Sequence, residues 1–209
     1  MSPVADYLSA AQARVTALRL SLQALQSGPV RLVETHISWV LVTDRYAYKL
    51  KKPLRLPFID FSTLAARRGS CEEELRLNRR LALSLYMGVV DVRDSTGGPV
   101  FGGGGALLDV AVQMRRFNDG ALWSERLAAG SLAPSEVDQL AQCLAVIHRD
   151  AAVATVESGF RSPAVHERVC GRLIDAIDGW HAGHAAPATR ERACRVACPR
   201  LRQLSCHRR

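Results

Sequence analysis

Apolar residues recur at Leu8, Ala11, Val15, Leu18, Leu22 and Leu25, in alternating steps of three and four. That spacing predicts one amphipathic helix over residues 5–26, closed by Gly28-Pro29. From Val30 the period shortens. Val30 to Val42 reads as two strands with a sharp connection near Thr35-His36-Ile37-Ser38. Asp44-Arg45 marks a turn, after which Tyr46, Tyr48 and Leu50 share one side of a strand and Ala47, Lys49 and Lys51 the other. Pro53 to Phe58 is an irregular connection held by two prolines. Asp60 and Ser62 offer N-cap side chains to a helix from about Thr63 to Leu83, with Leu64, Leu75, Leu77 and Leu81 as its apolar positions. Met87 to Val92 reads as a strand, Gly102 to Gly105 as a hairpin loop, and Leu108 to Phe117 as the strand that follows. Asn118-Asp119-Gly120 breaks the chain again. Helices are predicted over 121–129 and 134–149, the second with Leu140, Leu144 and Ile147 on one face, and over Ala164 to Trp180. Residues 181–209 show no clear period.

Composition supports a folded chain. The apolar fraction of 48% over 209 residues suffices for one mid-sized domain or two small lobes. The net charge of +8 points to polyanionic partners without choosing among them. No apolar run approaches the ~20 residues that span a bilayer, and Asp6, Arg14 and Arg19 interrupt the N-terminal apolar pattern, which excludes a signal peptide from the reading. The expected location is therefore cytoplasmic. Six cysteines without a secretory signal read as reduced thiols. Cys194, Cys198, Cys206 and His207 do not follow the paired close spacing of a zinc finger or ribbon.

The charge is distributed unevenly by type. All three lysines stand at Lys49, Lys51 and Lys52, while the other 25 of 28 basic residues are arginines. Lysine is a compact point charge on a flexible stem, suited to phosphate oxygens or to one carboxylate, whereas arginine is a planar fork. Downstream, Glu72-Glu73-Glu74 puts at least one carboxylate on the leucine face of its helix, and a carboxylate there needs a partner. Lys49 is the candidate. Glu72 is assigned to solvent; Glu73 and Glu74 stay open between pairing with Lys49 and a solvated face with i,i+4 pairs. An amphipathic hairpin with a solvated basic end explains the lysines equally well. The glycine-rich stretch is not a phosphate loop of the Walker type, because no lysine follows it.

Tyr46-Ala47-Tyr48-Lys49 resembles the Val-Ala-Ile-Lys strand of kinase-like phosphotransferases. That resemblance implies that Ala47 lines an adenine pocket, that Lys49 meets the nucleotide phosphates and that a helix glutamate steadies it. It further implies a phosphate-covering turn using Thr35 and Ser38, and a hinge binding adenine through the backbone of Gln113, Met114 and Arg115. A wider set of segments is similar to the bacterial bifunctional aminoglycoside-phosphotransferase-like/ATP-binding proteins. These are Glu34 to Trp39, Tyr48 to Pro53, Phe58 to Leu64, Cys71 to Leu81 and Met114 to Phe117. The resemblance covers roughly residues 25–150. It implies an α+β fold: a protein-kinase-like N-lobe with an antiparallel sheet and one packing helix, then an incomplete helical C-lobe. The corresponding division is 1–117, 118–180 and a basic tail, 181–209. It implies ATP as cofactor with Mg²⁺, and a small-molecule hydroxyl acceptor.

The chain departs from the family in its catalytic parts. His148-Arg149-Asp150 matches the protein-kinase catalytic tripeptide, but the asparagine expected five residues later is Thr155 and no Asp-Phe-Gly follows. The tripeptide is read as a helix C-terminus, where basic residues suit the dipole. No His-Gly-Asp loop occurs either, so a truncation or frame change is expected to have removed the catalytic loop and the metal ligands. The sequence thus predicts nucleotide binding without turnover. Two alternatives stand beside it: a basic nucleic-acid-binding protein and a regulatory pseudokinase-type module. The scattered arginines and the lack of an aromatic stacking pattern disfavour nucleic acid, and no membrane partner is expected.

Overall fold

The computed structural model describes residues 3–56, 59–155, 157–158, 164, 167–172 and 175. The chain forms two compact units, Met1–Ser131 and Leu132–Arg209. The fold is α+β.

The first unit is built on a six-stranded antiparallel sheet. Helix α1 (Pro3–Gln23) leads into β1 (Arg31–Glu34), β2 (Ser38–Val42) and β3 (Tyr46–Lys51). Then come a small ladder of β4 (Arg55–Leu56) with β5 (Ile59–Asp60), helix α2 (Leu64–Asn78), β6 (Tyr86–Arg93), β7 (Val100–Phe101), β8 (Leu107–Arg115) and a short helix α3 (Trp123–Ala128). The main sheet runs β1-β2-β3-β8-β6-β7. The β2–β3 turn is closed by Thr43, whose hydroxyl donates to the Tyr46 carbonyl at 2.9 Å and accepts from the Tyr46 amide at 3.0 Å. Asp44-Arg45 forms the tip, as the sequence predicts.

Strict alternation along β2 and β3 divides the sheet into two buried faces. Trp39, Leu41, Tyr48 and Leu50 pack with Val92 and Ala111 against Ala11, Val15 and Leu18 of α1. The opposite face holds Val110 and Val112 against Cys71 of α2. Two helices therefore sandwich the sheet, one on each side. Leu25, placed by periodicity on the α1 stripe, is 81% exposed because the helix ends at Gln23.

Other boundaries also move. The connection after β3 contains the β4–β5 ladder, which prolines had hidden; Pro57 and Phe58 lie outside the described residues. Thr63 is the N-cap of α2, its hydroxyl accepting from the Ala66 amide at 3.1 Å. Asp60 instead accepts from the amide and hydroxyl of Ser62. The helix stops at Asn78; Leu81 beyond it is exposed, and so is Leu77 within it, because the buried side carries Arg67 and Cys71. The glycine-rich hairpin encloses β7. There Gly102 has φ +77°, a conformation costly for any side chain, and its amide donates to the Asp91 carbonyl of β6 at 2.9 Å.

In the second unit, α4 (Pro134–Asp150) opens with Pro134 and keeps His148 and Arg149 in its last turn. Asp150 closes the helix, with Arg149 paired to it at 2.8 Å. Part of the segment predicted as a helix over Ala164 to Trp180 is described, and Ala164, residues 167–172 and Asp175 are helical. The rest of that segment lies outside the described residues, as do Cys194, Cys198, Cys206 and His207. No helix among the described residues is long and apolar enough to cross a membrane.

Candidate functional site

The site lies on the α2 side of the sheet. Register places Val42, Ala47 and Met114 side by side across β2, β3 and β8. The next row is Val40, Lys49 and Val112, and Ser38 faces Lys51 beyond it. Residues directly opposite in antiparallel strands share a face. The Val42-Ala47-Met114 row is half-buried, so an apolar floor adjoins Lys49.

Helix α2 supplies the carboxylate. Glu74 lies three residues after Cys71 and seven after Arg67, on the helix's buried side. Lys49 Nζ donates to Glu74 Oε1 at 2.8 Å, and Lys51 donates to Oε2 of the same carboxylate. The two ammoniums differ in surroundings. The Lys51 side chain is 6% exposed with its Nζ 5.5 Å from the Phe61 ring centroid, whereas Lys49 is 28% exposed. Burial pushes the Glu74 pKa upward, but the hydrogen bonds and charges of Lys49 and Lys51 outweigh it, and the carboxyl is held below its ordinary range. Two cations and one anion leave this cluster with a net positive charge.

Glu73 turns the other way and pairs with Arg76 at 2.6 Å on the solvent side. Of the two glutamates left open by the sequence, Glu74 is the one brought to the lysine. Lys51 is the residue that sequence reasoning left without a role. Its signal was the period of two from Lys49.

The remaining predicted residues are more dispersed. Thr35 and Ser38 close the β1–β2 turn: Thr35 Oγ1 accepts from the Ser38 amide at 3.0 Å and donates to the Ser38 carbonyl at 3.1 Å. The Thr35 hydroxyl is thus engaged within the turn. Ser38 is fully buried, and its Oγ has no hydrogen-bond partner among the described residues. His36 and Thr35 line an open cleft of about 510 Å³ with Glu34 and Lys52, whose side chains pair at 2.5 Å. Lys52 Nζ also sits 5.4 Å from the Trp39 ring. Gln113 and Met114 lie inside β8, flanked by β3 and by β6, and the Arg115 amide donates to the Leu85 carbonyl at 2.8 Å. The Arg115 amide is therefore engaged within the protein. The Gln113 side chain points to the α1 face and donates to Tyr48 Oη at 3.4 Å, away from Lys49.

The chain is 33% identical to mycobacterial proteins over part of its length. One relative comes from Mycobacterium tuberculosis strain H37Rv and another from Mycobacterium bovis, each named only as an uncharacterized protein. The match runs over 118 residues, 56% of this chain and 22% of each relative. The chain thus spans about a fifth of the length of the relatives it matches. No family model matches the chain. No solved structure matches it.

Cys71 lies beneath the ion pairs and is fully buried. Burial pushes its thiol up to about 11, so it stays protonated at neutral pH. Cys143 on α4 is exposed. Alkylation of the native protein with iodoacetamide is therefore expected to label Cys143 and to spare Cys71 until denaturant is added. Peptide mass spectrometry checks this, and native labelling of Cys71 would contradict the packing of α2.

Proposed function

We propose that the unit Met1–Ser131 is a kinase-like nucleotide-binding domain of the aminoglycoside-phosphotransferase type, acting without phosphoryl transfer in this chain. The observation that carries the reading is the Lys49–Glu74 pair at 2.8 Å, set at the end of the apolar floor of Val42, Ala47 and Met114. An adenine laid on that floor would direct its phosphates toward the ammonium. The strand order β1-β2-β3-β8-β6, with one helix over the lysine face, supports the same reading.

The electrostatics favour a polyphosphate. Phosphoryl-transfer sites act through positioning and charge, and a lysine aimed by a carboxylate supplies both. Mg²⁺ is implied by the family resemblance. Among the described residues no group of three or more His, Cys, Asp or Glu could hold a metal ion. Magnesium is commonly carried by one or two carboxylates together with substrate phosphates, so the nucleotide would bring it. Five of the 25 arginines, Arg14, Arg67, Arg68, Arg93 and Arg116, each pair with an aspartate within the protein.

Isothermal titration of the full chain with MgATP tests the proposal. Weak binding is expected, and Lys49→Ala should raise Kd by roughly tenfold or more, since one charge-assisted hydrogen bond is worth about 1.5–3 kcal/mol. No transfer to hydroxyl acceptors is expected. Equal affinity in wild type and Lys49→Ala would remove Lys49 from the site, and robust Mg²⁺-dependent transfer would overturn the non-catalytic part.

A further inference from the structure

One carboxylate serving two lysines is more than a single aimed ammonium requires. Each Glu74 oxygen holds its own lysine, and the two lysines are unequal in exposure, 6% for Lys51 and 28% for Lys49. Lys51 is boxed in. It faces Ser38 across the ladder, lies near the Phe61 ring and points into the layer that contains Cys71. Lys49 stands at the open side, next to the apolar floor. The groups facing Glu74 are Lys49 and Lys51 from β3, Cys71 from its own helix and Tyr86 from β6.

A pair made of one lysine and one glutamate has a built-in conflict. Drawing the ammonium onto a phosphate weakens the carboxylate's compensation, and a partly buried anion left unpaired is expensive. Leaving the ammonium on the carboxylate weakens its grip on the ligand. A second, buried ammonium on the other oxygen removes the conflict.

We infer that Lys51 is the resident partner of Glu74, a positioning residue, and that Lys49 is the exchangeable one, which an anionic ligand takes over while the Glu74–Lys51 pair stays closed. The inference rests on the nucleotide reading only for the identity of the ligand. The division of labour between the lysines is a property of the protein alone.

Two measurements on the full chain test it. The first needs no ligand: the Glu74 carboxyl is titrated by carbon-13 NMR in wild type, Lys49→Met and Lys51→Met. The Glu74 titration should move to higher pH in both variants, and further in Lys51→Met. An equal or reversed order overturns the inference.

The second uses MgATP. In Lys51→Met the carboxylate keeps Lys49 for itself, and Kd is expected to rise about tenfold. Adding Glu74→Gln on that background frees Lys49 and should restore most of the lost affinity. A purely structural role for Lys51 predicts no such rescue, and its absence overturns the inference. Should Lys51→Met not fold, Lys51→Gln removes the charge while keeping a donor, and it carries both comparisons. Failure of wild type to bind MgATP counts against the nucleotide reading, and the carboxyl titration then decides this inference by itself.

Discussion

Asp109→Ala is expected to lower the midpoint of thermal unfolding by on the order of 10 °C, from a loss of about 3–5 kcal/mol for breaking a buried ion pair. Asp109 is the point at which both helices are tied to the sheet. Its Oδ1 accepts from Arg67 Nε of α2 at 2.8 Å, and its Oδ2 from Arg14 of α1 at 3.1 Å. The two partners are not equivalent. The Arg67 side chain is 8% exposed and also donates to the Phe61 and Ser62 carbonyls, whereas Arg14 is 26% exposed. Removing the carboxylate strands the Arg67 guanidinium in a buried layer, and removing Arg14 strands little. Arg14→Ala should therefore cost much less, within about 1 kcal/mol, as partly exposed pairs do. Replacing both buried partners, as in Asp109→Leu with Arg67→Met, should recover a large part of the loss, because the penalty lies in the unpaired charge. Denaturant unfolding of the set checks these values. A near-neutral Asp109→Ala would mean that Arg67 reaches water without difficulty.

The sheet was legible because alternation is a strong signal. Trp39 and Leu41 point one way and Ser38, Val40 and Val42 the other, and β3 repeats the rule. Helix α4 was legible from Pro134 and its apolar spacing. The two-residue strands β4, β5 and β7 were not, since two residues carry no period. Helix α2 misled in an instructive way. Its leucines suggested the buried face, yet Leu77 is exposed and the buried side is written with Arg67 and Cys71. Pattern reading assigns arginine to solvent, and only tertiary partners justify burying it. An acid near an apolar stripe needs a cation whichever stripe is chosen, so the sequence narrowed the partner of Lys49 to Glu73 or Glu74, and only the packing of the helix separates the two. Asp109 stood in plain view as the one charge in Leu107-Leu108-Asp109-Val110-Ala111-Val112. Its partners Arg14 and Arg67 are 95 and 42 residues away, a separation no local pattern encodes.

Glu74→Gln is expected to be the most damaging single change at the site, at about 3 kcal/mol or more, because it leaves the buried Lys51 ammonium without its anion. Lys51 has little recourse, with a side chain 6% exposed. Acid should reproduce the same loss in the wild-type protein. The folded-state pKa of Glu74 lies below its ordinary value: burial raises it, but Lys49 and Lys51 together lower it by more. A depressed carboxyl contributes stability that is fully present above the unfolded-state pKa, about 4.3 for glutamate, and that is lost as pH falls through the folded-state value. Wild-type stability should thus fall below pH ~4.3 with a contribution from Glu74. In Glu74→Gln that contribution is already absent, so the two stability curves should converge as pH is lowered and separate as it rises toward neutrality. Denaturant midpoints measured from pH 3 to 7 decide the matter. Parallel curves across that range would show that Glu74 is not the group that titrates, and that the two lysines are compensated by some other anion.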